Sequence, residues 1–186
     1  MCYQQKKGVA EGMEHLVKAA KKGDADAFTK LIEINQDTLK RIAVAWLRDE
    51  NDIADAIQDT ILDAYEHIGQ LKKAEYFKTW MVRILINNCS KLYRKNKAHS
   101  KFETNADIYA EDFGVSSDNV DLAHRELEFY DLLKALPEDS RVIFQLYFGE
   151  QFTMAEIADM LHLKENTVKS KIRRGKIQLR ERLGKE

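Results

Sequence analysis

The chain has 186 residues, 44% apolar and 33% charged, with 30 basic against 31 acidic side chains. That is the balance of a globular protein, not of a disordered one. Only eight glycines and one proline occur, well under the usual shares of about 7% and 5%, which argues against sandwiches, barrels and nucleotide-binding βαβ folds and predicts an all-α fold. The longest apolar run, Ile42 to Leu47, is six residues, against the roughly 20 of a membrane span, so no membrane insertion is expected. Residues Met1 to Gly8 are polar and lack the apolar core of a secretory signal. Cys2 and Cys89 cannot frame a disulfide network, and a reducing cytoplasm is the expected compartment. The five histidines (His15, His67, His99, His124 and His162) are scattered, with no CxxC or HExxH. No metal and no cofactor is expected.

From Met13 to Leu47 apolar residues recur at helical spacing, which predicts two or three amphipathic helices with breaks at Gly23-Asp24 and at Asn35 to Asp37. A stripe of Ile53, Ile57, Ile61, Ala64, Tyr65 and Ile68 predicts a further helix packed on the core, with Asp52, Asp55, Asp59 and Asp63 around it. Gly69 to Glu75 reads as a loop. Phe77 to Lys95 reads as a helix with Trp80, Ile84, Leu85 and Leu92 among basic residues. Trp80 is a candidate stacking platform, although its helical neighbours favour core packing. Cys89 reads as a packed small side chain rather than a redox switch. His99 to Asp121 is acidic and poor in apolar clusters, and is expected to be a flexible linker. A helix over Leu122 to Leu136 follows, then Pro137 at a natural first helical position with Glu138 and Asp139 in the first turn. The run from Val142 to Phe148 has strand-like composition, but its i, i+3, i+4 spacing favours helix.

The near-zero net charge conceals a pattern. Residues 1–98 carry +3, residues 99–140 carry −8 and residues 141–186 carry +4. Asp49 to Glu66 holds seven acids and no base, while Lys78 to Lys97 holds six bases and no acid. Lys164 to Arg182 holds eight bases and two acids. One such run is ordinarily a solvated helix face. Two basic helices separated by an acidic connector point to a polyanion touched at two places.

The C-terminal run carries more than charge. Gly149 to Phe152 breaks the chain, and Thr153-Met154-Ala155-Glu156 fits a capping box. A short turn at His162-Leu163-Lys164 leads to a second, basic helix with Val168 and Ile172 inward. This is the pattern of a helix-turn-helix, with small Ala158 near the crossing. In that geometry Asn166, Lys169, Ser170, Arg173 and Arg174 face a major groove, where Arg and Lys read guanine edges or hold phosphates.

The stretch Ala135-Leu136-Pro137-Glu138, then Phe152 to Ala158, Leu161, Asn166 to Lys176 and Leu179, resembles region 4 of bacterial sigma factors, most of all the extracytoplasmic-function (ECF) group of the sigma-70 family. Asp52 to Thr60 is similar to the helix of region 2 that binds the polymerase clamp, and Phe77 to Asn87 to the helix that engages the −10 element. The resemblance spans nearly the whole chain, with both motifs in the family's order. It implies a region 2-like domain over 1–98, a linker over 99–121 and a region 4-like domain over 122–186. It further implies a protein that performs no covalent chemistry: it binds core RNA polymerase and promoter DNA, and an anti-sigma factor usually restrains it. Asp52, Asp55, Gln58 and Asp59 are then expected to meet the polymerase. Lys72, Lys73, Trp80, Arg83, Asn87, Lys91, Arg94 and Lys95 are expected at the −10 element. Asn166, Thr167, Lys169, Ser170, Lys171, Arg173 and Arg174 are expected at the −35 element. The loop from Gly69 to Tyr76 would receive an unstacked base during melting. The acidic linker would occupy basic channels of the polymerase and discourage DNA binding by the free protein.

Departures from the family pattern are His162 at a turn position often held by glycine, Ser170-Lys171 for the usual Ser-Arg, Arg174-Gly175 for Arg-Ala, and Lys91 where Asp or Asn is frequent. A glycine inside a helix costs about 1 kcal/mol relative to alanine. Two rival readings are a sigma-like mimic that titrates an anti-sigma factor, which would normally carry a receiver domain, and a dimeric helix-turn-helix repressor, which leaves the acidic helix without a role. An enzyme is disfavoured because no nucleophile–base pair or phosphate-binding glycine loop accompanies the carboxylates.

Overall fold

The computed structural model describes residues 12–99 and 128–184; no strand occurs among them. A first helix, α1 (residues 12–20), ends at a turn closed by Gly23, whose φ of +93° suits a residue without a Cβ. Asp24 then caps α2 (Ala25–Trp46), its carboxylate accepting from the Ala27 N–H. The expected break at Asn35 to Asp37 does not occur. Asn35 is buried and donates its side-chain amide to the Leu31 carbonyl at 2.8 Å, so its polar group is satisfied inside an unbroken helix.

Asp49 caps α3 (Glu50–His67) by accepting from the Asn51 and Asp52 N–H groups. Two 3-10 turns, Ile68–Gln70 and Ala74–Tyr76, tighten the segment expected to be a loop. The long basic helix α4 (Phe77–His99) follows. Helices α2, α3 and α4 pack on one another, with Leu31, Leu39, Ile42, Ala56, Phe77, Met81 and Leu85 fully buried between them. Of the expected linker, His99 still belongs to α4, and 100–121 lies outside the described residues.

In the C-terminal half, the described part of the helix expected over Leu122 to Leu136 is α5 (residues 128–134). Pro137 stands at the cap of α6 (Glu138–Phe144), one residue before its first turn. The strand-like run continues as a π-helical turn, Gln145–Gly149, in which the Glu150 N–H bonds the Gln145 carbonyl five residues back. The capping box at Thr153 forms as expected and opens α7 (Met154–Met160). The turn after it leads into α8 (Glu165–Leu183), with Val168 and Ile172 turned inward.

The two halves pack against each other. Helix α6 and the π turn lie on α2, and α7 lies on α4. Val142, Ile143, Leu146, Phe152 and Ile157 share one buried cluster with the N-terminal core, while Leu133, Leu136 and Phe144 form a small cluster of their own. This joint core was not expected from the sequence.

Candidate nucleic-acid and protein interface

Three surfaces carry the candidate residues. On α3 the buried positions Ile53, Ala56, Thr60 and Ala64 face the core, which leaves Asp55, Gln58 and Asp59 exposed together on the opposite side. Asp52 stands partly apart: it is half-buried and accepts from the Asn96 amide of α4. Asp63 likewise accepts from Asn88, so these two acids tie α3 to α4. The apolar stripe is narrower than its sequence spacing suggests. Tyr65 is exposed and only leans edge-on against Phe28 at 5.1 Å. With Leu62, also exposed and a turn beyond Gln58 and Asp59, it adds apolar surface to the acidic face. No polar motif marks Leu62, and only its place on the outward side of the helix identifies it.

On α4, Asn87, Lys91, Arg94 and Lys95 are exposed and recur every three to four residues, which places them on one stripe. Lys91 also donates to the Asn88 side-chain oxygen Oδ1 at 3.1 Å. Arg83 is half-buried and paired with Asp159 of α7, and its Nε has no partner. Trp80 is half-buried beside Phe77, ring centroids 6.0 Å apart, and packs against the core. Lys72 and Lys73 are exposed on the loop before the helix, with the Lys73 ammonium 5.5 Å from the Tyr76 ring centre. They stand ahead of the helix start, and Phe77, where the helix begins, is about 15 Å from Asn87 at a 1.5 Å rise per residue. Cys89 lies fully buried on the inner side, and burial pushes its thiol up to about 12, so it has neither access nor thiolate character.

On α8, Asn166, Lys169, Ser170, Arg173 and Arg174 are all exposed, and Thr167 is half-buried. Ser170 donates to the Asn166 carbonyl at 2.8 Å, and Arg174 Nε reaches the Ser170 carbonyl at 3.4 Å. Lys171 departs from the expected set. It turns back to pair with Asp139 on α6, and that contact holds the Asp139 carboxyl below its usual range. The basic face continues to Arg180 and Arg182. Lys176 lies over the Phe148 ring, 5.1 Å from its centre.

Sequence reasoning missed the polar groups that join the halves. The Glu150 carboxylate is buried and accepts from Thr38 (2.9 Å), Arg41 Nε (2.7 Å) and Lys78 (3.0 Å), with Gln145 at 3.4 Å. Glu138 accepts from Arg48 and from the Tyr93 hydroxyl. Nothing in their local motifs marks these residues, because each depends on which helices meet. Among the described residues, no group of His, Cys, Asp and Glu could hold a metal, and no helix is long and apolar enough to cross a membrane.

Residues 31–99 match the family model of sigma-70 region 2, and residues 126–179 match that of sigma-70 region 4. The chain is 26% identical over 176 residues to the ECF RNA polymerase sigma factor SigW of Bacillus subtilis, covering 90% of this chain and 94% of the relative. It is 28% identical over 162 residues to SigM of Mycobacterium tuberculosis, also an ECF RNA polymerase sigma factor, covering 87% and 80%. Two solved structures share the fold. CnrH, in complex with the cytosolic domain of CnrY, has a TM-score of 0.66 at 23% identity over 94% of this chain and 99% of its own. The sigma factor RpoE of Bartonella quintana, in complex with the anti-sigma factor NepR, has a TM-score of 0.64 at 22% identity over 84% and 96%.

Proposed function

Because the chain belongs to the sigma-70 family of RNA polymerase sigma factors, of the ECF type, we propose that its N-terminal half recognises and opens the −10 element while its C-terminal half recognises the −35 element. The protein is a transcription initiation factor: it binds core polymerase and directs it to promoters, and polymerisation belongs to the core enzyme. The observation that carries this reading is the order of the two matched regions, residues 31–99 and 126–179, each ending in a helix with an exposed basic face.

Asp55, Gln58 and Asp59 form the face for the polymerase clamp, flanked by Leu62 and Tyr65. Asn87 is suited to a base edge because its amide both donates and accepts, and Lys91, Arg94 and Lys95 on the same stripe hold phosphates. Arg173, Arg174 and Lys169 supply the major-groove contacts of α8, with Asn166 and Ser170 beside them. Domain limits of 1–98 and 122–186, with the acidic linker between, follow from this assignment, as does action in the cytoplasm. Neither half is expected to hold its element tightly alone, and linkage through the polymerase supplies the effective concentration. CnrH and RpoE were solved bound to CnrY and to an anti-sigma factor, which supports a restraining protein partner for this chain.

The test is transcription in vitro from fragmented DNA of the source genome, with core polymerase and this protein, followed by mapping of transcript 5′ ends. Discrete starts that share two upstream motifs are expected. Core binding without any start would favour the mimic, and neither would leave the helix-turn-helix regulator.

A further inference from the structure

The side of α4 that faces α3 carries a buried amide in contact with the basic stripe. Asn88 is 4% exposed and follows Asn87 directly, so it faces the core while Asn87 faces outward. Its Nδ2 donates to the Asp63 carboxylate of α3 at 3.0 Å and lies 3.4 Å from the Thr60 hydroxyl oxygen. Thr60, itself fully buried, gives its own proton to the Ala56 carbonyl at 2.6 Å, so towards Asn88 it only accepts. The Asn88 Oδ1 accepts from the Lys91 ammonium at 3.1 Å.

The chemistry of these partners fixes which way the amide points. A carboxylate and an engaged hydroxyl only accept, and an ammonium only donates. Nδ2 must therefore meet α3 and Oδ1 must meet Lys91. Neither a carboxylate nor an apolar side chain at this position could serve both. A buried amide is costly to leave unpaired, which holds Asp63, Asn88 and Lys91 together although Lys91 is exposed.

This connection reaches the stripe assigned to the −10 element. Lys91 lies one turn beyond Asn87 on the same side of α4. A lysine bonded three residues back carries its charge towards the helix N-terminus by about 4.5 Å, at a 1.5 Å rise per residue. That brings the ammonium to the level of the Asn87 amide. Left to itself, a lysine is a point charge on a flexible four-carbon stem and holds a phosphate anywhere within its reach. Held by Asn88, it offers one place, and its rotamer entropy is lost on folding instead of on binding. Phosphate contacts set register, and base contacts read sequence.

We propose that Asn88 and Asp63 are positioning residues for promoter reading: acting through Lys91, they place one phosphate of the −10 element relative to the Asn87 amide and so sharpen the base preference of Asn87. The proposal rests on the promoter-reading function above and adds to it two residues that touch no DNA.

The test is initiation by the full chain with core polymerase on a library in which both mapped elements are randomised, read by transcript sequencing. Asn87→Ala marks the position that Asn87 reads. Asn88→Leu, which keeps the size and removes the amide, is expected to weaken the preference at that same position about fivefold and to leave the −35 preferences unchanged. Lys91→Met is expected to do the same, and the two together no more than either alone, because both break one connection. Lys95→Met is expected to lower initiation on all sequences alike. If Asn88→Leu does not melt cooperatively, Asp63→Ala at the half-buried end is expected to act in the same direction. Asp63→Asn keeps an oxygen that accepts from Asn88, and is expected to retain the preference. A preference that survives Asn88→Leu or Asp63→Ala, with initiation merely lower on every sequence, overturns the positioning role. So does Asp63→Asn losing as much as Asp63→Ala. If the parent does not initiate, or Asn87→Ala flattens no position, the promoter-reading function fails instead. NMR relaxation of the Lys91 ε-methylene in the free chain then still decides the connection: more order than at Lys95, lost in Asn88→Leu, is expected, and equal order with and without the amide overturns it.

Discussion

Two single residues record how this chain departs from its family's pattern. His162, at the turn between α7 and α8, has φ +53°, the left-handed conformation in which a Cβ crowds the backbone. Its side chain is exposed, and the turn is closed by backbone alone, the Leu163 N–H donating to the Ala158 carbonyl at 2.8 Å. His162→Gly is expected to stabilise the chain by about 0.5–1 kcal/mol, less than the full left-handed penalty because glycine also loses more entropy on folding. Thermal melts should show a rise of about 2–4 °C per kcal/mol, and a fall would mean that the turn is not strained. Gly175 is the opposite case. A Cβ there would stand 2.5 Å from two ring carbons of buried Phe144, so the helix propensity lost to glycine is given up for close ring packing. Overpacking costs about 1–3 kcal/mol, against the roughly 1 kcal/mol that alanine gains in a helix. Gly175→Ala is therefore expected to destabilise the chain, and adding Phe144→Leu should recover much of the loss. Additive effects in that double-mutant cycle would contradict the steric account.

Elements were the scale at which the sequence was most legible, because helix period and capping are local. The capping box at Thr153, the inward Val168 and Ile172, and the exposed residues of α8 lie where spacing placed them. Asn35 to Asp37 misled because a turn-forming asparagine can be satisfied by the preceding helical turn once neighbouring helices bury it. The pairing of Lys171 with Asp139 was not legible because its partner lies on another helix, nor was the exposure of Tyr65, because a stripe read from spacing cannot show how wide the covering element is. The outward face of α3 is legible for the same local reason that α8 is, and it supports a prediction. Asp55 and Asp59 are exposed, so Asp55→Lys with Asp59→Lys is expected to leave the melting temperature within a few degrees while abolishing co-elution with core polymerase. Survival of co-elution would remove these residues from the polymerase face.

At the scale of the whole molecule, the packing of one half on the other could not be read from local pattern, because Glu150 looks like any surface acid until Thr38, Arg41 and Lys78 are seen around it. Its ionisation gives this packing a pH signature. Burial pushes the carboxyl up, but the hydrogen bond from Arg41 and the charges of Arg41 and Lys78 outweigh it and hold the group below its ordinary 4.5. A carboxyl lowered by folding contributes stability that is fully present above that ordinary value and is lost as pH falls through the folded one. The groups facing it do not titrate in that range: Arg41 and Lys78 stay cationic, and Thr38 and Gln145 are neutral. Melting temperature is therefore expected to be flat from about pH 7 to pH 5 in this respect and to fall below about pH 4.5. Asp139, lowered by its bond to Lys171, adds a slope of the same sign, beginning near its ordinary 3.8. Glu150→Gln removes one contribution and leaves the other. Thermal melts across that range should accordingly show a shallower acid limb in the variant, displaced towards the lower onset set by Asp139. An unchanged limb would mean that Glu150 is no more strongly held in the folded protein than in the unfolded chain, in conflict with the four donors around it.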